Sequence, residues 1–328
     1  MYMRRCIQLA RCGAEGAAPN PMVGAVVVCE GRIIGEGYHR KCGGPHAEVN
    51  AIASVRDASM LERSTLYVSL EPCAHYGKTP PCADLIVAKR IPRVVIGCQD
   101  PFAKVNGLGI KKLKDAGVEV RVGVLEQECE RLNHRFMTFH RKHRPWVTLK
   151  WAQSADGYID RLRTPEEAPA RLSSPYTQVL VHRLRAQSMA ILVGTDTVIC
   201  DNPTLTNRLW PGGSPLRLTI DRTGRIPADA HLLDGSVPTH VYRQDTLTDI
   251  LDDLYQRGVQ SLLVEGGARL LQSFLDEGLW DEARVEEAPC RLHGGVRAPL
   301  LSGATLVGRQ QVDGHWISSY GRGSGEMC

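Results

Sequence analysis

The chain has no apolar run long enough to cross a bilayer. Its longest, Val23 to Cys29, covers seven residues, whereas a membrane helix needs about twenty. The opening stretch, Met1 to Arg11, carries arginines and no apolar core, so it does not read as a secretory signal. Aromatic residues make up only 5%, too few for the stacking platforms that hold single-stranded nucleic acid. No stretch holds five basic residues in a row, and the net charge is +4. A nucleic-acid partner is therefore not expected, while a small anionic substrate met by a few local cations is compatible. There is no G-x-G-x-x-G, no internal repeat and no low-complexity tract. Eleven cysteines are present, but the number is odd and their spacing irregular. That pattern predicts reduced thiols and a cytoplasmic location rather than a disulfide framework.

What is present suffices for two cores: 328 residues, 43% of them hydrophobic. Strands and helices alternate from Met1 to about Arg144. Strands are predicted at 22–29, 32–38, 65–70, 93–98 and 118–122, and helices at 47–55, 83–89, 110–116 and 126–141. Such alternation implies a mixed or mostly parallel sheet covered by helices. The basic stretch Arg141 to Arg144, closed by Pro145, predicts a boundary between domains 1–144 and 145–328. A second α/β unit follows, with strands at 146–152, 190–193, 216–221, 240–242 and 261–265 and helices at 175–186, 247–256 and 269–277. The stretch 161–171 reads as a mobile loop, and the Gly- and Ser-rich tail, 314–328, as frayed.

Three fragments carry chemistry: Pro45-His46-Ala47-Glu48, Glu71-Pro72-Cys73 and Pro80-Pro81-Cys82. Zinc favours nitrogen and thiolate ligands, and a catalytic zinc keeps its fourth position for water. His46, Cys73 and Cys82 supply three such ligands at predicted helix and strand ends. Cys82 opens a helix behind two prolines, where the helix N-terminus favours the thiolate. Glu48, two residues past the histidine, can move a proton without ligating. Zinc base deaminases use this His-x-Glu then Pro-Cys arrangement. A structural zinc would want a fourth protein ligand, which only His75 is placed to offer.

Beyond these fragments, Pro19-Asn20-Pro21-Met22-Val23-Gly24, His46-Ala47-Glu48-Val49-Asn50-Ala51 and the run Glu71 to Cys82 together resemble the bifunctional riboflavin-biosynthesis deaminase–reductases. Eight residues separate Cys73 from Cys82, where cytidine and tRNA deaminases usually keep two. The resemblance implies a cytidine-deaminase-like three-layer domain that hydrolytically deaminates 2,5-diamino-6-ribosylamino-4(3H)-pyrimidinone 5′-phosphate. By the same resemblance Asn20, His39, Ala74, His75 and Lys78 would meet this substrate, the lysine suiting its phosphate.

In the second half, Leu263-Val264-Glu265-Gly266-Gly267 ends a strand before a helix. Paired glycines there let backbone approach a phosphate. With Asp201-Asn202-Pro203-Thr204-Leu205-Thr206-Asn207-Arg208 and Leu149-Lys150-Trp151-Ala152 it resembles the family's reductase domain. A dihydrofolate-reductase-like fold is then implied, with NADPH reducing the ribosyl group to ribityl. Ala152, Thr197, Asp201, Arg222, Gly267, Ala268, Arg269, Leu270 and Leu271 would meet the cofactor. Lys150, Arg185, Leu205, Arg208 and Glu265 would meet the substrate. Reductases of this fold often pair, so a homo-oligomer is expected. Two departures stand out: Pro169-Ala170-Arg171 replaces the family's Ser-x-Trp, and Glu286-Glu287 fall where apolar strand residues are expected. Two other readings compete. One is a nucleic-acid base deaminase with an appended binding domain, which the low aromatic content disfavours. The other is a non-enzymatic zinc protein, which has no need of Glu48.

Overall fold

The computed structural model describes residues 1–76, 80–103 and 105–322. The chain divides into two units, Met1–His143 and Arg144–Cys328.

The first unit runs α1 (Tyr2–Arg11), β1 (Gly24–Cys29), β2 (Arg32–Tyr38), α2 (Ala47–Ala53), β3 (Thr65–Leu70), α3 (Cys82–Ala88), β4 (Arg93–Cys98), α4 (Leu108–Asp115), β5 (Glu119–Arg121), α5 (Glu126–Leu132) and α6 (His134–Lys142). Its five strands lie in the order β2-β1-β3-β4-β5. The first two pairings are antiparallel and the last two parallel. Every residue of β1 is buried, because successive side chains serve opposite faces of the sheet. Ala25 and Val27 pack against Ala47 and Ala51 of α2 and Ile86 of α3. Val26 and Val28 pack against Met3, Cys6 and Ile7 of α1 and Cys129 of α5. Helices thus cover both faces, in three layers.

The second unit runs β6 (Trp146–Ser154), β7 (Tyr158–Asp160), α7 (Pro175–Ala186), β8 (Ala190–Gly194), α8 (Thr195–Asp201), β9 (Leu216–Ile220), β10 (Thr239–Tyr242), α9 (Leu247–Gln256), β11 (Ser261–Glu265), α10 (Ala268–Asp276), β12 (Glu282–Ala288), β13 (Val296–Arg297), β14 (Ala304–Val312) and β15 (His315–Arg322). Its main sheet has eight strands in the order β10-β9-β8-β11-β6-β12-β15-β14. The first six run parallel, and the β14–β15 hairpin closes the edge antiparallel. Val147, Leu149 and Trp151 face Leu251 of α9 and Phe274 of α10. The opposite face takes Ile191, Val193 and Leu263 under Leu184 of α7 and Val198 of α8.

Three expectations are corrected. The helix predicted over 126–141 is two helices, broken at Asn133, whose side chain accepts from Met22 N–H at 2.8 Å and donates to the Met22 carbonyl at 2.9 Å. The tail does not fray over 315–322. It is β15, paired on both sides, with His315, Ile317 and Ser318 buried. The loop 161–171 is tied down rather than loose: the Arg163 side chain, 7% exposed, bonds Asp160, Asp201 and the carbonyls of Glu167 and Cys200. No helix among the described residues is long and apolar enough to cross a membrane.

Candidate active site

His46 is the N-cap of α2, in extended backbone that turns into the helix. The next turn buries Glu48, 3% exposed. Cys73 follows β3, and Cys82 is the first residue of α3, behind Pro81. His46 Nδ1 lies 3.5 Å from Cys73 Sγ and 3.3 Å from Cys82 Sγ, and the three ligand atoms fall within 4.8 Å of one another. Bonds of about 2.0 Å to nitrogen and 2.3 Å to sulfur in a tetrahedron place N and S roughly 3.5 Å apart, so this trio fits zinc.

The electrostatics agree. A hydrogen bond with the Cys82 thiol, helped by His46, holds the Cys73 thiol down at about 4. The same contact, with burial, drives the Cys82 thiol upward. A dication bound here would need both sulfurs as thiolates and the imidazole neutral. The Cys82 N–H also donates to Cys73 Sγ at 3.3 Å. Burial, then the nearby charge of Cys73, lifts the Glu48 carboxyl to about 7, where a group both takes and returns protons near neutrality.

His39 is 2% exposed and stands edge-on to His46, ring centroids 5.3 Å apart. Its Nδ1 bonds the Pro45 carbonyl at 3.1 Å and its Nε2 meets Asn20 Nδ2 at 3.2 Å. Ala74 and His75 continue from Cys73. His75 Nδ1 is buried without a hydrogen-bond partner, and its ring lies 6.0 Å from that of Phe102. Lys78, the expected phosphate contact, lies outside the described residues. Sequence reading assigned no role to two buried acids nearby, Glu71 and Asp100. Their partners are backbone N–H groups, which leave no residue pattern.

In the second unit, Lys150, Glu265 and Arg284 sit in one row across the sheet, on the α7 face. Arg185 on α7 reaches Glu265 with two bonds, 3.0 and 2.7 Å, and the Thr206 carbonyl at 3.2 Å. Burial works to raise the Glu265 pKa, but Arg185 and Lys150 more than offset it, and the carboxyl is held low. Lys150 is lowered by burial against the pull of Glu265 and Glu286. Arg284 and Glu286, assigned no role from sequence, stand on this face beside Lys150. Glu286 accepts from Ser173 Oγ at 2.7 Å, and His315 Nδ1 lies 3.0 Å away but out of line for a hydrogen bond. The two glutamates of this strand therefore interrupt nothing: Glu286 is partnered, and Glu287 lies 3.7 Å from Arg309.

Gly266 and Gly267 both take positive φ, +78° and +70°, and Gly267 caps α10. A Cβ on Gly266 would stand 3.1 Å from Thr197, so the turn is a cradle only glycine leaves open. Thr197, Gly267, Ala268, Arg269 and Leu270 gather here. Leu271 does not: its side chain is fully buried in the core and its N–H bonds Gly267. Leu205 is likewise buried, with φ +52°. Arg208 is held by Thr204 and Thr206 and, through its N–H, by His182 at 2.9 Å. Asp201 is engaged by Arg163, and Arg222, exposed at the end of β9, reaches the Asp245 carbonyl at 3.5 Å. Ala152 pairs with Glu286 across β6 and β12.

A ligand trio of this kind, with a protonatable carboxyl beside it on a helix-covered mixed sheet, defines the class as a zinc-dependent deaminase carrying a second α/β unit. The family model for the cytidine and deoxycytidylate deaminase zinc-binding region matches residues 1–98, and that for the RibD C-terminal domain matches residues 145–319. The chain is 40% identical to the riboflavin biosynthesis protein RibD of Aquifex aeolicus over 311 residues, covering 88% of this chain and 86% of that one. It is 35% identical to RibD of Escherichia coli K12, covering 90% and 89%. The crystal structure of a diaminohydroxyphosphoribosylaminopyrimidine deaminase/5-amino-6-(5-phosphoribosylamino)uracil reductase from Thermotoga maritima superposes with a TM-score of 0.87 at 36% identity, covering 98% of this chain and 97% of that one. Acinetobacter baumannii RibD gives 0.88 at 33%, with the same coverage.

The chain belongs to the RibD family of riboflavin biosynthesis proteins, bifunctional enzymes that join a zinc-binding deaminase domain to a reductase domain. The nucleic-acid deaminase reading is set aside, and the second unit has the dihydrofolate-reductase-like fold expected of that half.

Proposed function

We propose that the chain carries out two consecutive steps, deamination in residues 1–144 and reduction in residues 145–328. The first converts 2,5-diamino-6-ribosylamino-4(3H)-pyrimidinone 5′-phosphate to its uracil counterpart with release of ammonia. The second reduces the ribosyl side chain to give 5-amino-6-(5-phospho-D-ribitylamino)uracil. The observation that carries the reading is the His46–Cys73–Cys82 trio beside buried Glu48.

His46, Cys73 and Cys82 would hold zinc, which would lower the pKa of a bound water so that, once deprotonated, it could add to carbon 2 of the pyrimidine. Glu48, buried beside the trio, would take that proton and return it to the departing amine. Asn20, His39, Ala74, His75 and Lys78 hold the base and its phosphate. In the second step NADPH supplies the hydride. The Gly266–Gly267 turn and α10 receive the cofactor's phosphates beside Thr197, with Ala152, Asp201 and Arg222 as further contacts. Lys150, Arg185, Leu205, Arg208 and Glu265 meet the substrate, and Arg185 and Arg208 suit its phosphate. The enzyme works in the cytoplasm as a homo-oligomer, which light scattering on the purified full chain would check.

The deciding experiment supplies the diaminopyrimidinone ribosyl phosphate with and without NADPH. Ammonia release followed by NADPH oxidation is the expected result. Ammonia without NADPH oxidation leaves the deaminase alone, and ammonia from cytidine or tRNA instead overturns the substrate.

A further inference from the structure

Glu71 is 4% exposed, and both of its oxygens are saturated by backbone. Oε1 accepts from the N–H groups of Gly109 at 3.0 Å and Ile110 at 3.1 Å; Oε2 accepts from Gly107 at 3.0 Å and Asp100 at 3.3 Å. One carboxylate therefore ties together the two ends of the connection between β4 and α4. The first turn of α4 is also pressed onto the residue that precedes Cys73. A Cβ on Gly109 would stand 2.0 Å from the Pro72 carbonyl oxygen, so only glycine permits this approach. Between the tied ends, Asp100 Oδ1 accepts the Phe102 N–H at 2.8 Å, and the Phe102 ring faces His75, two residues beyond Cys73.

We propose that Glu71 is a positioning residue of the deaminase: by fastening Asp100 and residues 107–110 to the Pro72–Cys73 turn, it sets the wall that Phe102 and His75 present beside the metal ligands. This rests on the first unit being the deaminase proposed above. The four hydrogen bonds of the Glu71 carboxylate all go to backbone N–H groups outside the ligand trio. Its charge is met by four N–H dipoles rather than a cation, so its work is geometric. A carboxylate with a full set of donors cannot be replaced by an amide without turning an NH2 group against N–H groups.

The test uses the full zinc-loaded chain and the diaminopyrimidinone ribosyl phosphate. Glu71→Gln should raise KM for ammonia release about tenfold while kcat changes less than about threefold, the loss of two charge-assisted bonds acting on fit. Zinc content per chain should match wild type. Glu71→Asp keeps the charge but shortens the reach by one methylene; it should raise KM in the same direction, and it decides the matter if the glutamine variant does not fold. NADPH oxidation on the pre-deaminated intermediate reports that the rest of the chain is intact. A folded variant with wild-type KM overturns the proposal, as does a fall in kcat that tracks lost zinc at unchanged KM. If wild type itself releases no ammonia, it is the deaminase reading that fails, not this inference.

Discussion

Arg185 and Glu265 are joined by two hydrogen bonds, 3.0 and 2.7 Å, with side chains only 13% and 11% exposed. The pair bridges α7 to the end of β11 and sits in the row that includes Lys150. Each residue is also a proposed substrate contact, so the ion pair holds the contact in place before any ligand arrives. Removing one partner strands the other's charge. Arg185→Ala should destabilise the second unit by about 3 kcal/mol and cut NADPH oxidation by about tenfold or more, with ammonia release retained. Thermal melts and the two assays check this; unchanged stability would show the pair to be solvated and idle.

Glu48→Gln preserves size and leaves the three metal ligands untouched. It should retain one zinc per chain and lower the rate of ammonia release about a hundredfold or more, the contribution of a positioned proton carrier. Metal analysis alongside an ammonia assay decides it, and near wild-type turnover would remove Glu48 from the chemistry.

Cys82 contributes Sγ to the trio and its N–H to Cys73. Cys82→Ser keeps the N–H and loses the thiolate, so zinc content should fall after dialysis that leaves wild type loaded. Chelating zinc from wild type should stop ammonia release while NADPH oxidation on the deaminated intermediate continues. Full metal occupancy in the serine variant would rule Cys82 out as a ligand.

Asp100 is 7% exposed, and burial lifts its carboxyl from 3.8 to about 7. The unfolded chain gives up this proton from about pH 4, the folded chain only near 7. Between those values the folded state holds the extra proton, so stability is lost as pH rises. Asp100→Asn keeps an oxygen for the Phe102 N–H and removes the charge. Its stability relative to wild type should rise by about 2 kcal/mol between pH 5 and pH 8, measured by melting of metal-free protein. A pH-independent difference would show that Asp100 titrates normally.

The clustering of His46, Cys73 and Cys82 was legible because cysteine, histidine and proline at element ends are rare and chemically committed. The buried strand at β1 and the alternation of strands and helices could be read from apolar runs of the right length. What could not be read depends on pairings distant in the chain. The break at Asn133 is set by Met22, 111 residues away. β15 is a strand despite its two serines and a glycine, because β12 and β14 hydrogen-bond it from both sides, and such context overrides propensity. The helix α1 went unnoticed, since the residues of its buried face, Met3, Cys6, Ile7 and Ala10, are separated in sequence by arginines that lie on the other side of the helix. Glu286 looked like an intruder because its hydrogen-bond partner, Ser173, lies 113 residues away in the chain.

The contact of His39 with Pro45 also decides the sense of a neighbouring amide. A carbonyl oxygen only accepts, so His39 Nδ1 carries the hydrogen in that bond. Burial lowers the His39 pKa, which keeps the ring neutral and leaves Nε2 a bare lone pair. Asn20 must then donate to it through Nδ2. The backbone next to the metal ligand thereby orients Asn20 through the His39 ring, so that the amide oxygen and the second N–H of Nδ2 are the groups His39 does not engage. That one His39–Pro45 contact fixes which way round the Asn20 amide lies before anything binds near it.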